Sequence, residues 1–266
     1  MSTSGGGNEL LVKARLVMFR IAFLLLTLLV TVSCKNEMRK EFYPNGNLKK
    51  LISFKKGQPV DSAMQYFDSG QLEFKEIRNA DTIFTFHYLK TGELSAQIKF
   101  LNTPKPIEIG WSVFYNKDGS VADSIEHINL KTNSYLNQRI KYNKKNHLII
   151  DSSNFFKFSL KSIQNSDLFD LKINYVPMDK KSDVFMVIGK DIKEDFSNID
   201  NVELDTIFMQ NNKITSKAFE KASKVFKGFF YEYRSKEFEA NIKDSTKFRI
   251  YEKRTFFNEL VVAKNP

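Results

Sequence analysis

Few residues in this chain have the type and spacing to do chemistry. Three histidines, His87, His127 and His147, are the acid–base candidates near neutral pH. None stands in the HxxxH or HExxH spacing that puts two imidazoles on one helix face for a metal. His87, beside Tyr88 on a strand, and His147, after a turn, read as solvent-facing positions. In Asp123-Ser-Ile-Glu126-His127 the alternation of a strand sends Glu126 and His127 to opposite faces. Carboxylates fall in pairs, Asp195 with Asp200 and Glu203 with Asp205. The second pair, at i and i+2, shares one strand face, as carboxylates of a glycosidase or a calcium site do. No Asp-x-Asp-x-Asp-Gly loop accompanies them, so they read as solubilising acids beside turns. GxSxG, P-loop and GxGxxG patterns are absent, which leaves serine hydrolase, nucleotide and dinucleotide chemistry without a foothold. The expectation is no catalytic residue, no metal and no cofactor. A single cysteine, Cys34, excludes an intramolecular disulfide and a multi-cysteine metal site.

What surrounds that cysteine is the strongest signal in the chain. Lys13, Arg15 and Arg20 precede Ile21–Val32 (IAFLLLTLLVTV), a run of twelve almost wholly apolar residues. As a helix it spans roughly 18 Å, short of the ~30 Å hydrocarbon core, and extending it backwards would bury Arg20. A basic stretch, a short apolar run and then small residues is the layout of a secretory signal. Thr31-Val32-Ser33-Cys34 resembles the bacterial lipobox, with Thr31 in place of the commonest Leu. The resemblance implies cleavage before Cys34, diacylglycerol on its thiol and a membrane partner through the acyl chains. Two or more chains anchor firmly, since each buried CH₂ contributes about 0.8 kcal/mol. Residues 1–33 are thus the expected signal peptide, whether the start is Met1 or Met18. Cys34-Lys35-Asn36-Glu37 resembles the lysine-plus-acid signals that send lipoproteins to the surface of a Bacteroidetes-type envelope, so an outer membrane location is expected, on either face.

The 266 residues are 42% hydrophobic and 27% charged, with mean hydropathy −0.37, which excludes a polytopic membrane protein and wholesale disorder. Phe at 25 and Tyr at 10 against one Trp point to an aromatic β core. Loss of residues 1–33 removes three basic residues and one acidic, taking the net charge from +10 to +8. The excess is spread along the chain rather than gathered in one arginine-rich stripe, so nucleic acid is not an expected partner.

Five segments repeat one pattern: Phe42-Tyr-Pro-Asn-Gly46-Asn-Leu48, Tyr66-Phe-Asp-Ser-Gly70-Gln-Leu72, Tyr88-Leu-Lys-Thr-Gly92-Glu-Leu94, Tyr115-Asn-Lys-Asp-Gly119-Ser-Val121 and Tyr142-Asn-Lys-Lys-Asn146-His-Leu148. Each has an aromatic four residues before the glycine position and an aliphatic two after it. Asn146 in the glycine position of the last copy is the other residue that tolerates positive φ, so a turn is required there. Alternating flanks make every copy a β-hairpin, and a lone hairpin is marginal in water, so neighbours must stack. The prediction is an elongated meander of about ten strands over residues 38–155. The pattern, over residues 34–154 as a domain, is similar to the MORN-variant repeat of bacterial proteins often labelled YwqK-type antitoxins. That resemblance implies a twisted antiparallel sheet of stacked hairpins. Tyr43, Phe67, Tyr88 and Tyr115 are candidates for an aromatic ladder on one sheet face, for stacking on sugars or touching a partner protein, or for holding the hairpins together.

From Phe155 the repeat stops. Runs at 155–163, 168–176, 183–188, 204–209, 226–233, 247–251 and 255–262 predict seven short strands, a β-sandwich-like domain over 155–266. Residues 215–228 have helical spacing, with Gly228 at the stop, and predict a short helix. The fold class is therefore all-β, a stacked hairpin sheet followed by a β-sandwich-like domain. The expected function is a non-enzymatic binding or assembly module, lipid-anchored in the cell envelope, with an envelope protein or glycan as partner. The alternatives are an immunity or antitoxin-type protein, which the repeat resemblance implies, and a glycan-active enzyme using Glu203 and Asp205.

Overall fold

The computed structural model describes residues 37–164, 168–189, 191–220, 225–237 and 247–260. The signal segment and Cys34 lie outside these. The chain is all-β, and ten antiparallel strands precede Asn143 in a long sheet that is not closed into a barrel. Two compact units divide at Gly70, as Met1–Gly70 and Gln71–Pro266, so the contact boundary is not the 154/155 boundary of the repeat pattern.

The first unit holds β1 (Glu37–Phe42), β2 (Leu48–Lys55) and β3 (Gln58–Tyr66), paired in that order. In the second unit β4 (Leu72–Arg78), β5 (Thr82–Tyr88), β6 (Leu94–Leu101), β8 (Gly110–Tyr115), β9 (Val121–Leu130) and β10 (Asn133–Lys141) follow one another, with the short β7 (Ile107–Glu108) on β6. The repeat marks the turns of this meander. All five glycine positions have positive φ: +84° at Gly46, +91° at Gly70, +99° at Gly92, +80° at Gly119 and +58° at Asn146. At each, the amide bonds back to the carbonyl three residues earlier, as Gly92 N–H does to Leu89 O at 2.9 Å. In four of the copies the aromatic and the aliphatic are cross-strand partners, Phe42 with Leu48, Tyr88 with Leu94, Tyr115 with Val121 and Tyr142 with Leu148. A register shift follows each of the first three of these pairs, the bulge that a turn ending in a left-handed residue imposes. The three positions are thus the closing pair and the hinge of one hairpin turn.

Most side chains of β4–β9 are half-buried, so cross-strand pairs rather than a thick core hold this region. The aromatic core lies further along, in β11 (Phe155–Ser162), β12 (Leu168–Val176), β13 (Asp183–Gly189), β14 (Leu204–Phe208), β15 (Lys213–Glu220), β16 (Val225–Glu237) and β17 (Lys247–Leu260). These seven make a three-stranded sheet β11-β12-β15 and a four-stranded sheet β14-β13-β16-β17. Between them lie Ile173, Tyr175, Val184, Met186, Ile207, Phe230 and Phe257, with Phe156 and Phe158 against them. Phe230 is fully buried, 4.7 Å from the Tyr175 ring and 5.2 Å from Phe257. A sandwich follows because each strand alternates one apolar set inward. At Gly228 that closeness excludes any side chain, since a Cβ would stand 2.0 Å from the Val187 carbonyl oxygen.

Two expectations fail in this half. Residues 213–220 are strand β15, not the start of a helix, and 225–228 open strand β16; residues 221–224 lie outside the described ones. The helical spacing loses to pairing: β12 needs a partner on its second edge, and Ile214 to Glu220 supply it, with Ile173 opposite Ile214 and Phe169 opposite Phe219. The runs at 247–251 and 255–262 are one strand, β17, because the whole of β16 runs beside them.

The turn geometry gives a direct test. Gly92 has open space around it, so Gly92→Ala is strained only in its backbone and should lose about 1–2 kcal/mol in urea unfolding. Asn146→Gly should change stability by less than about 0.5 kcal/mol or raise it slightly.

Candidate functional site

The most built part of the molecule lies where β10 meets β17. β17 is the edge strand of its sheet, and its main chain would otherwise present unpaired groups. β10 meets that edge with side chains. A bulge falls between Leu136 and Gln138, so Asn137 and Gln138 both stand opposite Glu126. Both donate to Glu126 Oε2, at 2.7 and 2.6 Å. So aimed, the Asn137 amide accepts from Phe256 N–H at 2.7 Å and donates to Phe256 O at 2.8 Å. One side chain thereby mimics a ladder pair. Tyr135 OH donates to Arg254 O at 2.6 Å, Lys253 Nζ to Leu136 O at 3.2 Å, and Phe156 N–H to Gln138 Oε1 at 3.0 Å. Asn137 and Gln138 are buried.

Behind this edge sits Glu232, fully enclosed between the sheets of the sandwich. Its carboxylate accepts from Met178 N–H (3.0 Å), Asp179 N–H (2.6 Å) and Tyr175 OH (3.1 Å). The Tyr175 hydroxyl also lies 2.9 Å from Thr255 Oγ1 and takes a bond from the Asn154 amide at 2.9 Å. Three donors occupy Glu232, so it holds the β12–β13 turn down rather than offering an acid to a ligand. Burial, with the Glu232 charge second, pushes the Tyr175 hydroxyl well above the usual phenol range and raises Tyr251 in the same way. Burial also raises Tyr135 and lowers Lys253.

Beside the junction opens a cleft of about 280 Å³. Leu130, Ile199, Phe256 and the Tyr135 ring give it an apolar floor; Lys131, Lys253, Arg254 and Glu252 stand around it. Lys253 Nζ lies 5.5 Å from the Tyr135 ring centre. The Arg254 guanidinium lies 5.1 Å over the Phe229 ring and meets no carboxylate among the described residues. The β9–β10 turn closes one side with Lys131 and Thr132 at φ +50° and +68°. A β-branched residue rarely takes that conformation, and here Lys131 N–H bonds Asp195 O at 3.2 Å while its ammonium pairs with Asp200 at 3.2 Å.

The residues singled out from sequence scatter around this site. Of the aromatic candidates, Tyr43 and Phe67 belong to the first unit and Tyr88 and Tyr115 to the second. Tyr88 and Tyr115 end strands β5 and β8, which β6 separates, whereas Tyr43 and Phe67 hold the next repeat position, already in the turn. Tyr43 OH donates to Tyr66 O at 2.7 Å inside its own unit. His87 is half-buried with its ring 5.0 Å from Phe74, not simply solvent-facing, while His147 is exposed after its turn. Glu126 and His127 do point apart: His127 Nδ1 lies 3.0 Å from Glu108 Oε1. Ser112 also bonds that carboxylate, at 2.6 Å, and is fully buried. Serine and imidazole thus share one acid, and the serine does not bond the imidazole as a nucleophile would its base. Asp195 is held below the ordinary carboxylate range by the Ser197 side chain and amide, Asp200 faces Lys131, and Glu203 and Asp205 are exposed. Among the described residues no group of three metal-ligating side chains converges.

No protein-family model, curated protein or solved structure matches this chain. The geometry alone carries the reading of the site. Asn137, Glu232 and Arg254 were missed in the sequence for different reasons. The phase of Phe229-Phe-Tyr-Glu-Tyr-Arg234 does place Glu232 inward with Phe230, a period-two signal. Asn137 owes its role to a bulge that nothing in its neighbours announces.

Two outcomes follow. Asn137→Ala leaves the buried Phe256 N–H and carbonyl without their side-chain partner and Glu126 with Gln138 alone, and should cost about 2–4 kcal/mol in denaturant unfolding. Tyr135, Tyr175 and Tyr251 have hydroxyls raised above the unfolded value of about 10. Their contribution to stability is full below that pH and is lost as pH rises through the folded values. Spectrophotometric titration of the native protein should therefore leave these three phenols protonated until alkaline unfolding releases them together.

Proposed function

We propose that this chain is a lipid-anchored protein of the bacterial cell envelope that binds a partner at the junction of meander and sandwich, without catalysing a reaction. One observation carries the anchor: the sole cysteine follows a twelve-residue apolar run with basic residues before it and small residues after it. Thiol acylation uses one cysteine, and this chain keeps one, at that place. Among the described residues no helix is long and apolar enough to cross a membrane, so acyl chains are the means of attachment this reading supplies.

The binding role draws on the cleft. Its floor is apolar, and Lys253 and Arg254 stand at it beside Glu252 and an Asp200-paired Lys131, while Ser112 and His127 share the half-buried Glu108 carboxylate elsewhere. An apolar recess with a few polar groups at its rim is the kind of surface that takes a ligand.

Intact mass and membrane fractionation of the wild type beside Cys34→Ala, in a host that processes lipoproteins, test the anchor. The expected wild-type mass corresponds to cleavage before Cys34 plus acyl chains, in the membrane fraction, with both features lost in the variant. A soluble, unacylated wild type overturns the reading.

A further inference from the structure

The outer face of the four-stranded sheet is treated in two ways by the rest of the chain. One row of side chains across it, Val187, Phe229 and Phe256, is buried beneath Ile192, Phe196 and Ile199 from the segment 191–203. Two residues along the strands the next row is Phe208, Phe185, Tyr231 and Arg254, one from each strand and in register. Nothing described covers its far end: Phe208 is 83% exposed. Ring centres along the row are 6.3 Å (Phe208 to Phe185) and 5.1 Å (Phe185 to Tyr231) apart, and Tyr233 adds a ring 5.8 Å from Tyr231. Four strands at about 4.8 Å spacing make the row about 14 Å long. It ends at Arg254, which is also a wall of the cationic cleft.

We infer that this aromatic row and the cleft bind one ligand, an acidic saccharide whose sugar rings lie on the aromatics and whose carboxylate meets Arg254. The inference rests on the binding-module reading. Aromatic rings on an outer sheet face offer apolar contact and no main-chain partner. An extended peptide laid there would strip water from its own amides with nothing to replace it. A pyranose suits the surface better, because its C–H face is apolar and its hydroxyls project sideways into water. Charge favours the acidic class: Lys131 is paired with Asp200 and Glu252 accepts from the Tyr231 hydroxyl, whereas Arg254 meets no carboxylate among the described residues and Lys253 adds a second positive charge to the lining. Arg is also the side chain that binds a carboxylate in two-point fashion.

The test is calorimetric titration of the full lipidated protein in detergent with short galacturonate oligomers, neutral galactose oligomers of equal length, and oligoglutamate. Galacturonate should bind best. Phe208→Ala, an exposed position whose loss leaves the core intact, should weaken both saccharides roughly three- to tenfold. Arg254→Gln should remove the preference for the acidic oligomer, a change of roughly tenfold, while keeping the neutral one. Thermal unfolding of each variant checks that the fold is kept. No saccharide binding by the wild type, affinities unmoved by Phe208→Ala, or tighter binding of oligoglutamate each overturns the inference. None of these outcomes touches the anchor, which the mass of Cys34 decides separately.

Discussion

Asn137 reaching the main chain of Phe256 is the contact on which the second unit depends. An edge strand must have its amides and carbonyls satisfied or exposed, and β17 is an edge strand carrying two of the buried phenylalanines of the molecule, Phe256 and Phe257. Extending the sheet with another strand would solve this, but β10 belongs to the meander. The bulge at Asn137 resolves the conflict by turning one side chain into a substitute strand, with Tyr135 and Lys253 extending the seam along residues 135–136 and 253–254. Glu126 holds both amides of the bulge in place. The same seam sets the cleft, since Tyr135, Lys253, Arg254 and Phe256 are at once its bonding partners and its lining.

Buried polar groups recur behind the seam, and four of them bond to one another. Asn154, Tyr175, Thr255 and Glu232 form a continuous bonded network through the sandwich next to the stacked Tyr175 and Phe230 rings. Such networks specify one arrangement of the two sheets because a shifted packing would strand several buried groups at once. The network accounts for a carboxylate at the centre of an aromatic core with no need of a catalytic role.

The meander was legible because its signal is local. Gly92 or Asn146 at a fixed distance from an aromatic and an aliphatic encodes a turn whose closing pair lies within six residues. The existence of strands β13 and β16 was legible too, but not the phase of β13, where Val184 and Met186 enter one apolar cluster and Phe185 and Val187 the other. What sequence could not show is non-local. Residues 215–228 have helical spacing, yet 213–220 pair with β12, which lies far back in the chain, and Asn137 meets a strand 119 residues away. The aromatic row that the sheet assembles from Phe208, Phe185 and Tyr231 draws on three strands spread over the C-terminal half, so no local pattern announces it.

Native-state hydrogen exchange at the Phe256 amide tests the seam most directly. If the Asn137 side chain serves as the missing strand, this edge amide should exchange only through global unfolding, with the same opening free energy as the core amide of Met186. Exchange of Phe256 at the rate of an open sheet edge, with Met186 still protected, would contradict the account: the sandwich would then stand without the meander, and the junction would be a contact rather than the support of the fold.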